Sequence, residues 1–322
     1  VAAAAAKEER DGVSFSSLDD ELGDGLGVTK RALLEHYDAF ADRLVPLLAG
    51  RPLTAVRIRP GAAAFVQRDV PKGAPDWVRT AATWSDRAKR EVHQVLVEDR
   101  RTLLWLANQR AVELHVPFST WSTAEGFGEP TGLVLDLDPP DDGPFSAVVA
   151  TARLARQALA DAGLTAAVKT TGSRGLHLVV PVHGSSHEDV AAATRALAAR
   201  TAALDPGVAT TAYVVAERGG RVFVDSTRSG RGTIAVAYSP RARPGLPVSA
   251  PVSWEDLDAA DPRGTTVTDA AARIAGDPWA DALPAPQLLD ADVVAEGHTI
   301  PVARVAAMHE GKRRKAAARA AE

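Results

Sequence analysis

Apolar residues recur at helical spacing just after Thr29, at Leu33, Leu34, Tyr37, Phe40 and Leu44, and Thr29 stands where an N-cap belongs. A helix is therefore predicted to open at Val28-Thr29-Lys30. Leu53–Ile58 and Ala62–Gln67 read as strands, and Asp99–Leu114 reads as a helix followed by the short segment Glu113–Pro117. The centre of the chain is clearer. Gly132–Pro140 (GLVLDLDPP) is a strand with a proline stop, and Phe145–Ala162 is an amphipathic helix ending at Gly163. Ala166–Lys169 and Leu176–Val182 read as strands around the turn Thr170–Gly175, and Glu188–Leu204 as an alanine-rich helix. Val214–Glu217 and Arg221–Asp225 bracket Gly219-Gly220, a hairpin signal. Thr233–Ala237 is a further strand, a proline-rich path runs from Pro240 to Pro251, and Ser253 caps a short helix. Residues 1–27 read as a weakly structured lead-in. Its Gly23, Gly25 and Gly27 follow no strand and sit among acids, so they make a poor dinucleotide signal. No internal repeat is visible.

The 322 residues suffice for one large or two modest domains with a sizeable core. The absence of cysteine excludes a disulfide scaffold, a thiolate zinc site and a cysteine nucleophile. No stretch approaches the roughly 18 apolar residues of a membrane span, and Val1–Ala6 is too short for a secretory signal core. A soluble, cytoplasmic, monomeric protein is expected. The net charge of −4 speaks, taken alone, against a nucleic-acid partner. That average conceals segregation. Residues 51–90 hold nine Lys/Arg against three acids, residues 221–246 five against one, and residues 251–296 two against ten. A basic, Ala-rich tail with Lys312, Arg313, Arg314 and Lys315 follows.

Asp136 and Asp138 are two apart near the end of an apolar strand, so both point to one face with alpha carbons about 7 Å apart. Two like charges there are costly unless a cation compensates them, and paired carboxylates suit hard divalent ions. Asp225 ends another apolar strand and is a candidate third ligand; by itself it also reads as a turn residue. The turn Thr171-Gly172-Ser173-Arg174-Gly175-Leu176-His177 gathers hydroxyls, glycines, an Arg and a His, the chemistry of an anion cradle, with Lys169 adding a cation. The bland reading is a polar hairpin. Arg241 and Arg243 share a face of an extended path and suit phosphate recognition.

Together, Leu133–Pro139 (LVLDLDP), Val168–Pro181 (VKTTGSRGLHLVVP), Val222–Asp225 (VFVD) and Tyr238–Pro244 (YSPRARP) resemble the polymerase domain of bacterial ligase D, of the archaeo-eukaryotic primase superfamily, over roughly Thr29 to Leu257. The resemblance implies an α/β (α+β) fold: a primase-polymerase core with a mixed, largely antiparallel sheet flanked by helices, plus an N-terminal α/β part. The expected divisions are a lead-in at 1–27, a DNA-facing part at 28–130, the catalytic core at 131–257, and an acidic extension with basic tail at 258–322. It implies template-directed nucleotidyl transfer at short DNA gaps or broken ends, with a preference for ribonucleotides. Asp136, Asp138 and Asp225 would hold two Mn²⁺ or Mg²⁺ ions. Thr171, Gly172, Ser173, Arg174, His177, Arg241 and Arg243 would meet the incoming NTP or dNTP, His115 would lie near its sugar, and Phe65 would stack on its base. Lys30 matches a lysine on a downstream 5′-phosphate, and Arg57, Arg59, Arg68 and Lys72 would face DNA. The implied partners are gapped or broken duplex DNA, a separately encoded ATP-dependent ligase and Ku.

This sequence departs from the family pattern at several points. Thr171 and Arg174 stand where Ser and Lys are usual, Val66 replaces a second Phe, Val56-Arg57 replaces a Lys-Arg pair, and the lead-in is acidic. The last two changes predict weak 5′-phosphate recognition. No K-x-D-G ligase motif is present, so a stand-alone member is expected. Two rival readings are a D-x-D nucleotide-sugar transferase and a catalytically silent gap-binding module. The first gives the G-L-H turn and Asp225 no role, and the second gives none to the three acids.

Overall fold

The computed structural model describes residues 8–85 and 88–302. The strands and helices run, in chain order, β1 (Glu9–Arg10), β2 (Val13–Ser14), α1 (Lys30–Ala39), α2 (Ala41–Leu48), β3 (Thr54–Arg59), β4 (Ala62–Gln67), β5 (Thr80–Ser85), β6 (Arg90–Val95), α3 (Arg100–Asn108) and β7 (Ala111–Val116). The middle of the chain holds β8 (Trp121–Ser122), β9 (Gly126–Phe127), β10 (Gly132–Asp138), α4 (Phe145–Asp161), β11 (Ala167–Thr170), β12 (Leu176–Pro181) and α5 (His187–Leu204). The remainder holds β13 (Ala209–Thr210), β14 (Val222–Asp225), β15 (Ile234–Ala235), β16 (Pro251–Val252), α6 (Ala270–Arg273), α7 (Pro278–Ala282) and α8 (Ala291–Thr299).

Two sheets carry the architecture. The larger has the order β13-β14-β10-β12-β11-β16 and is antiparallel except for the parallel pair β13–β14. The smaller has the order β15-β7-β3-β4 and is antiparallel. The period-two pattern of the central strands decides which residues go where. Leu133, Leu135 and Leu137 of β10, Leu176, Leu178 and Val180 of β12, and Val222 and Val224 of β14 pack with α4 and α5. Each such fully buried leucine stabilises the fold by about 2 kcal/mol. The intervening residues Val134 and Val179 face a second core, shared with α1 to α3 and the smaller sheet. That second core also takes Tyr238, Leu246, Val248 and Trp279 from far along the chain.

Several expectations need correction. The lead-in is packed from residue 8 on: Val13, Phe15, Leu18 and Leu22 are buried in the second core. They follow no period, which is why the segment reads as unstructured. The helix expected over Asp99–Leu114 ends at Asn108. Arg110 takes a positive φ of 56°, the chain reverses, and the alternating Ala111–Val116 becomes β7. The hairpin around Gly219-Gly220 does not form. Both glycines turn the chain at positive φ, but Val215–Glu217 is a single 3₁₀ turn and β14 pairs with β13 and β10. The helix expected at Ser253 is a side-chain-capped turn, Ser253 Oγ accepting from the Asp256 amide at 3.1 Å, followed by a 3₁₀ turn at Leu257–Ala259. The hairpin β5–β6 carried no period strong enough to be read. Lys312 to Lys315 lie outside the described residues. Among the described residues no helix is long and apolar enough to cross a membrane.

One buried group makes stability depend on pH. His36 of α1 is 2% exposed, stacks on Phe40, and lies with Nε2 2.9 Å from the Tyr238 carbonyl while Nδ1 has no partner. Burial, only partly opposed by that bond, pushes its pKa down from 6.5 to about 4. The unfolded chain therefore takes up the proton first as the pH falls. His36 is neutral in both states above pH 6.5, and stability is lost between 6.5 and 4, by about 2 kcal/mol already at pH 5. Urea unfolding at pH 7 and pH 5 is expected to show this loss in the wild type, and a smaller one in His36→Gln.

Candidate active site

The same alternation that buries the leucines of β10 turns Asp136 and Asp138 to the opposite face. Strand register then sets a transverse row across four strands. Asp225 of β14 and His177 of β12 sit opposite Asp136 on its two sides, and Lys169 of β11 sits opposite His177. Directly opposed side chains lie about 5 Å apart, so the row is contiguous. It reads acid, acid, imidazole, amine.

One oxygen from each of Asp136, Asp138 and Asp225 lies within 4.8 Å of the others. Asp136 is 6% exposed and Asp225 is 4% exposed. Burial raises the pKa of Asp136, although Arg228 and Lys169 oppose it. Asp138 is pushed up to about 7 by burial and by the charges of Asp136 and Asp225. The protein's own cations do not resolve this crowding. Arg228 Nε stands 3.6 Å from Asp136 and 3.4 Å from Asp225, with its side chain 49% exposed. His177 Nε2 stands 3.3 Å from Asp136 Oδ1, yet that buried oxygen has no hydrogen bond. Three converging carboxylates with an orphaned oxygen are the donor set of a hard divalent cation, and these residues fit one.

Behind the acids, Lys169 is fully enclosed. Its Nζ lies 2.6 Å from His177 Nδ1 and 2.6 Å from Ser249 Oγ. Burial pushes the Lys169 pKa well down, and Nδ1 of His177 meets this amine while Nε2 is the ring nitrogen turned toward Asp136.

The turn between β11 and β12 closes over this row because of two glycines. Gly172 takes a φ of +66° with backbone atoms of Val248 and Ser249 at 3.1 Å from where a Cβ would sit. Gly175 passes so close to β10 that a Cβ would fall 2.1 Å from the Leu137 carbonyl oxygen. The Thr171 hydroxyl shapes the turn, accepting from the amides of Ser173 at 3.2 Å and Gly175 at 3.1 Å. Arg174 donates to the carbonyl and carboxylate of Asp141 in the loop after β10.

The smaller sheet supplies the facing wall. Glu113 and His115 of β7 are bonded at 2.8 Å, and Glu113 also accepts from the Ala242 amide and pairs with Arg241 at 3.1 Å. Arg241 in turn donates to the Thr171 carbonyl at 2.9 Å, joining this wall to the turn. Arg243 is exposed beside it.

The remaining candidates divide. Phe65 of β4 is half-buried, with the guanidinium of Arg59 4.6 Å and that of Arg57 5.8 Å from its ring. Arg57 is engaged with the Gln109 carbonyl, whereas Arg68 and Lys72 are exposed. Lys30 is 4% exposed, and its Nζ donates to the Ser16 carbonyl and to Asn108 Oδ1. These bonds tie the lead-in to α3. Sequence reasoning missed Glu113 and Arg228 and gave Lys169 only a minor part. Strand register brings Lys169 to the row, Glu113 reaches the site through Arg241, and Arg228 comes from the turn after β14; the alternation E-L-H in β7 and the i,i+3 spacing from Asp225 to Arg228 carried a faint signal.

Comparison with known proteins identifies the family. The family model for the LigD primase-polymerase domain matches residues 29–279. The multifunctional non-homologous end joining protein LigD of Mycobacterium bovis is 33% identical over 281 residues, covering 84% of this chain and 36% of the relative. The bifunctional non-homologous end joining protein LigD of Bacillus subtilis is 30% identical over 250 residues, covering 76% and 39%. The chain thus spans little more than a third of the length of these relatives. Among solved structures, the polymerase domain of Mycobacterium tuberculosis ligase D in complex with DNA matches with a TM-score of 0.76 and 31% identity, over 84% of this chain and 96% of that one.

Proposed function

The chain belongs to the LigD primase-polymerase domain family, a family of nucleotidyltransferases, and on that premise we propose that it extends primer 3′ ends at short DNA gaps or broken ends under template direction, favouring ribonucleotides. The observation that carries this reading is the carboxylate cluster Asp136, Asp138 and Asp225 beneath a glycine-shaped anion turn.

In this reading the three acids would hold two Mg²⁺ or Mn²⁺ ions. When bound, such ions neutralise the cluster, acidify a primer hydroxyl and polarise the α-phosphate. The protein's own groups do the rest. The Gly172 amide and the hydroxyls of Thr171 and Ser173 cradle phosphate oxygens. Arg174, Arg241 and Arg243 offset the charge that gathers as pyrophosphate departs. His177, whose Nδ1 meets Lys169, turns Nε2 toward Asp136, where it faces the reacting phosphate. Phe65 offers a face for the base, and Arg59, Arg68 and Lys72 a basic approach for the template. A sugar transferase would leave the G-L-H turn and Asp225 without a role.

The test is extension of a labelled primer across a short gap, with each of the four templating bases in turn. Addition of the complementary nucleotide supports the reading. Gap binding without addition supports the silent-module alternative instead.

A second expectation follows from Lys30. With its ammonium enclosed and Asp19, Asp20, Glu21 and Asp24 nearby in the lead-in, a downstream 5′-phosphate gains little there. Removing that phosphate is expected to change gap-filling efficiency by less than about threefold. A drop of about 30-fold or more would place a strong phosphate contact in this chain.

A further inference from the structure

A cavity of about 230 Å³ lies between the two sheets, and none of the three acids lines it. Val179 and Pro181 of β12 border it from the larger sheet, Val116 of β7 and Ile234 of β15 from the smaller one, and Phe118 and Trp279 join them. Alanine at 235 and 237 leaves the space that larger side chains would fill. An engineered apolar cavity of roughly 150 Å³ takes up a benzene ring. The larger volume here admits a ring with a short arm, or a branched alkyl chain of similar size.

The lining is apolar except for Thr131, Arg51 and Lys169. Strand register places these at opposite ends. Thr131 precedes Gly132, which pairs with Pro181, whereas Lys169 pairs with His177. Four residues of β12 separate the two levels, a span of about 13 Å. At the far end the amine of Lys169 is taken up by His177 Nδ1 and Ser249 Oγ, so it offers the cavity mainly its stem. At the near end Arg51 is half-buried. Its guanidinium donates to the Pro117 carbonyl at 3.5 Å and to Thr131 Oγ1 at 3.2 Å, two long bonds to neutral groups from a side chain with five N–H donors. Among the described residues no carboxylate pairs with it, and burial pushes its pKa down. A partly desolvated cation beside an apolar space is costly until an anion joins it. A planar guanidinium matches a carboxylate through two parallel bonds. One such cation, with no second free one beside it, suits a single negative charge better than a phosphate dianion.

We propose that this cavity binds a small apolar molecule carrying one carboxylate, its body among Val116, Val179, Ile234 and Trp279 and its carboxylate on Arg51. The site does not depend on the polymerase reading. It shares Lys169 with the catalytic row, so a bound molecule lies against the side chain that meets His177.

The probe is hydrocinnamate, a phenyl ring on a two-carbon carboxylate arm, titrated into the whole chain without DNA or nucleotide and followed by calorimetry. The expected result is one saturable site per chain in the millimolar range or below. Hydrocinnamide has the same shape without the charge and is expected to bind at least about tenfold more weakly. Arg51→Gln is expected to weaken the acid by a similar factor and the amide much less. Ala237→Leu, which occupies the cavity, is expected to abolish binding of both. Should either variant fail to fold, nuclear Overhauser contacts from the probe's ring to the methyl groups of Val116, Val179 and Ile234 locate the site in the wild type. Absence of saturable binding by the wild type, equal affinity for acid and amide, or ring contacts confined to other methyl groups overturns the proposal. So does undiminished binding by folded Ala237→Leu.

Discussion

Replacing Asp138 with asparagine is expected to abolish primer extension, by about three orders of magnitude or more, while making the metal-free protein more stable. Both effects have one cause. Asp138 shares a partly buried space with Asp136 and Asp225, and its pKa stands at about 7 rather than 3.8. A carboxyl whose folded value lies above its unfolded value weakens the fold wherever it is forced to ionise. The penalty is full above pH 7, and it is relieved as the pH falls from 7 toward 4. Asparagine keeps the shape and removes the charge. Thermal unfolding at pH 8 in a chelator is expected to show a higher Tm for Asp138→Asn, with the gain shrinking by pH 5. Added Mg²⁺ or Mn²⁺ is expected to stabilise the wild type and to do little for the variant. Binding to gapped DNA, which the proposed function assigns to Arg59, Arg68 and Lys72, is expected to persist. Equal stability together with retained extension would remove Asp138 from the site.

The second large effect is expected from Gly175→Ala. A single methyl group there would fall 2.1 Å from the Leu137 carbonyl, inside any allowed contact, with Leu137 lying between the two acids of β10. Either β10 or the turn must move, and the backbone on both sides is packed. A loss of about 2–4 kcal/mol in stability is expected, within the range of overpacked or strained backbone sites. The turn carries Thr171, Ser173 and Arg174, so its displacement by as little as about 1 Å is expected to lower kcat roughly 100-fold. Denaturant unfolding and steady-state extension measure the two quantities separately. Wild-type stability and rate in this variant would mean that the turn does not rest on β10.

How much of this was legible in the sequence depended on period. The strand-helix-strand-strand-helix run from Gly132 to Leu204 was readable nearly to its ends, because β10, β11 and β12 are apolar strands with clear turn residues and α4 and α5 are long and regular. The acids followed, since a D-x-D at a strand end fixes their common face. What failed was local pattern without tertiary context. Val112 and Leu114 extend the apolar spacing of α3, and only the reversal at Arg110 turns them into β7. That one misreading concealed Glu113, because on a helix it would not share a face with His115. The Gly219-Gly220 turn was real, but the partner of β14 was chosen by β10 and β13, which are distant in sequence. Lys30 shows the reverse case. Its position at a helix start is conspicuous, yet Ser16 and Asn108, from two other segments, enclose it.

The near-neutral net charge can now be placed. Of the basic residues of 51–90, Arg57 and Arg59 lie on β3 of the smaller sheet, and of those of 221–246 Arg228 stands beside the acids and Arg241 beside Glu113, while most of the acids of 251–296 lie beyond β16. Segregation of this kind predicts affinity for DNA that rests on few phosphate contacts and falls with salt.

The claim that Asp136, Asp138 and Asp225 form a cation-dependent nucleotidyl-transfer centre is tested most directly by single-nucleotide addition to a labelled primer on gapped DNA, comparing wild type with Asp225→Asn across a titration of Mn²⁺ and of Mg²⁺. The predicted result is templated addition by the wild type that requires the divalent ion, and none by Asp225→Asn at any concentration despite equal DNA binding. Addition by the wild type in chelator, or undiminished addition by Asp225→Asn, would contradict it.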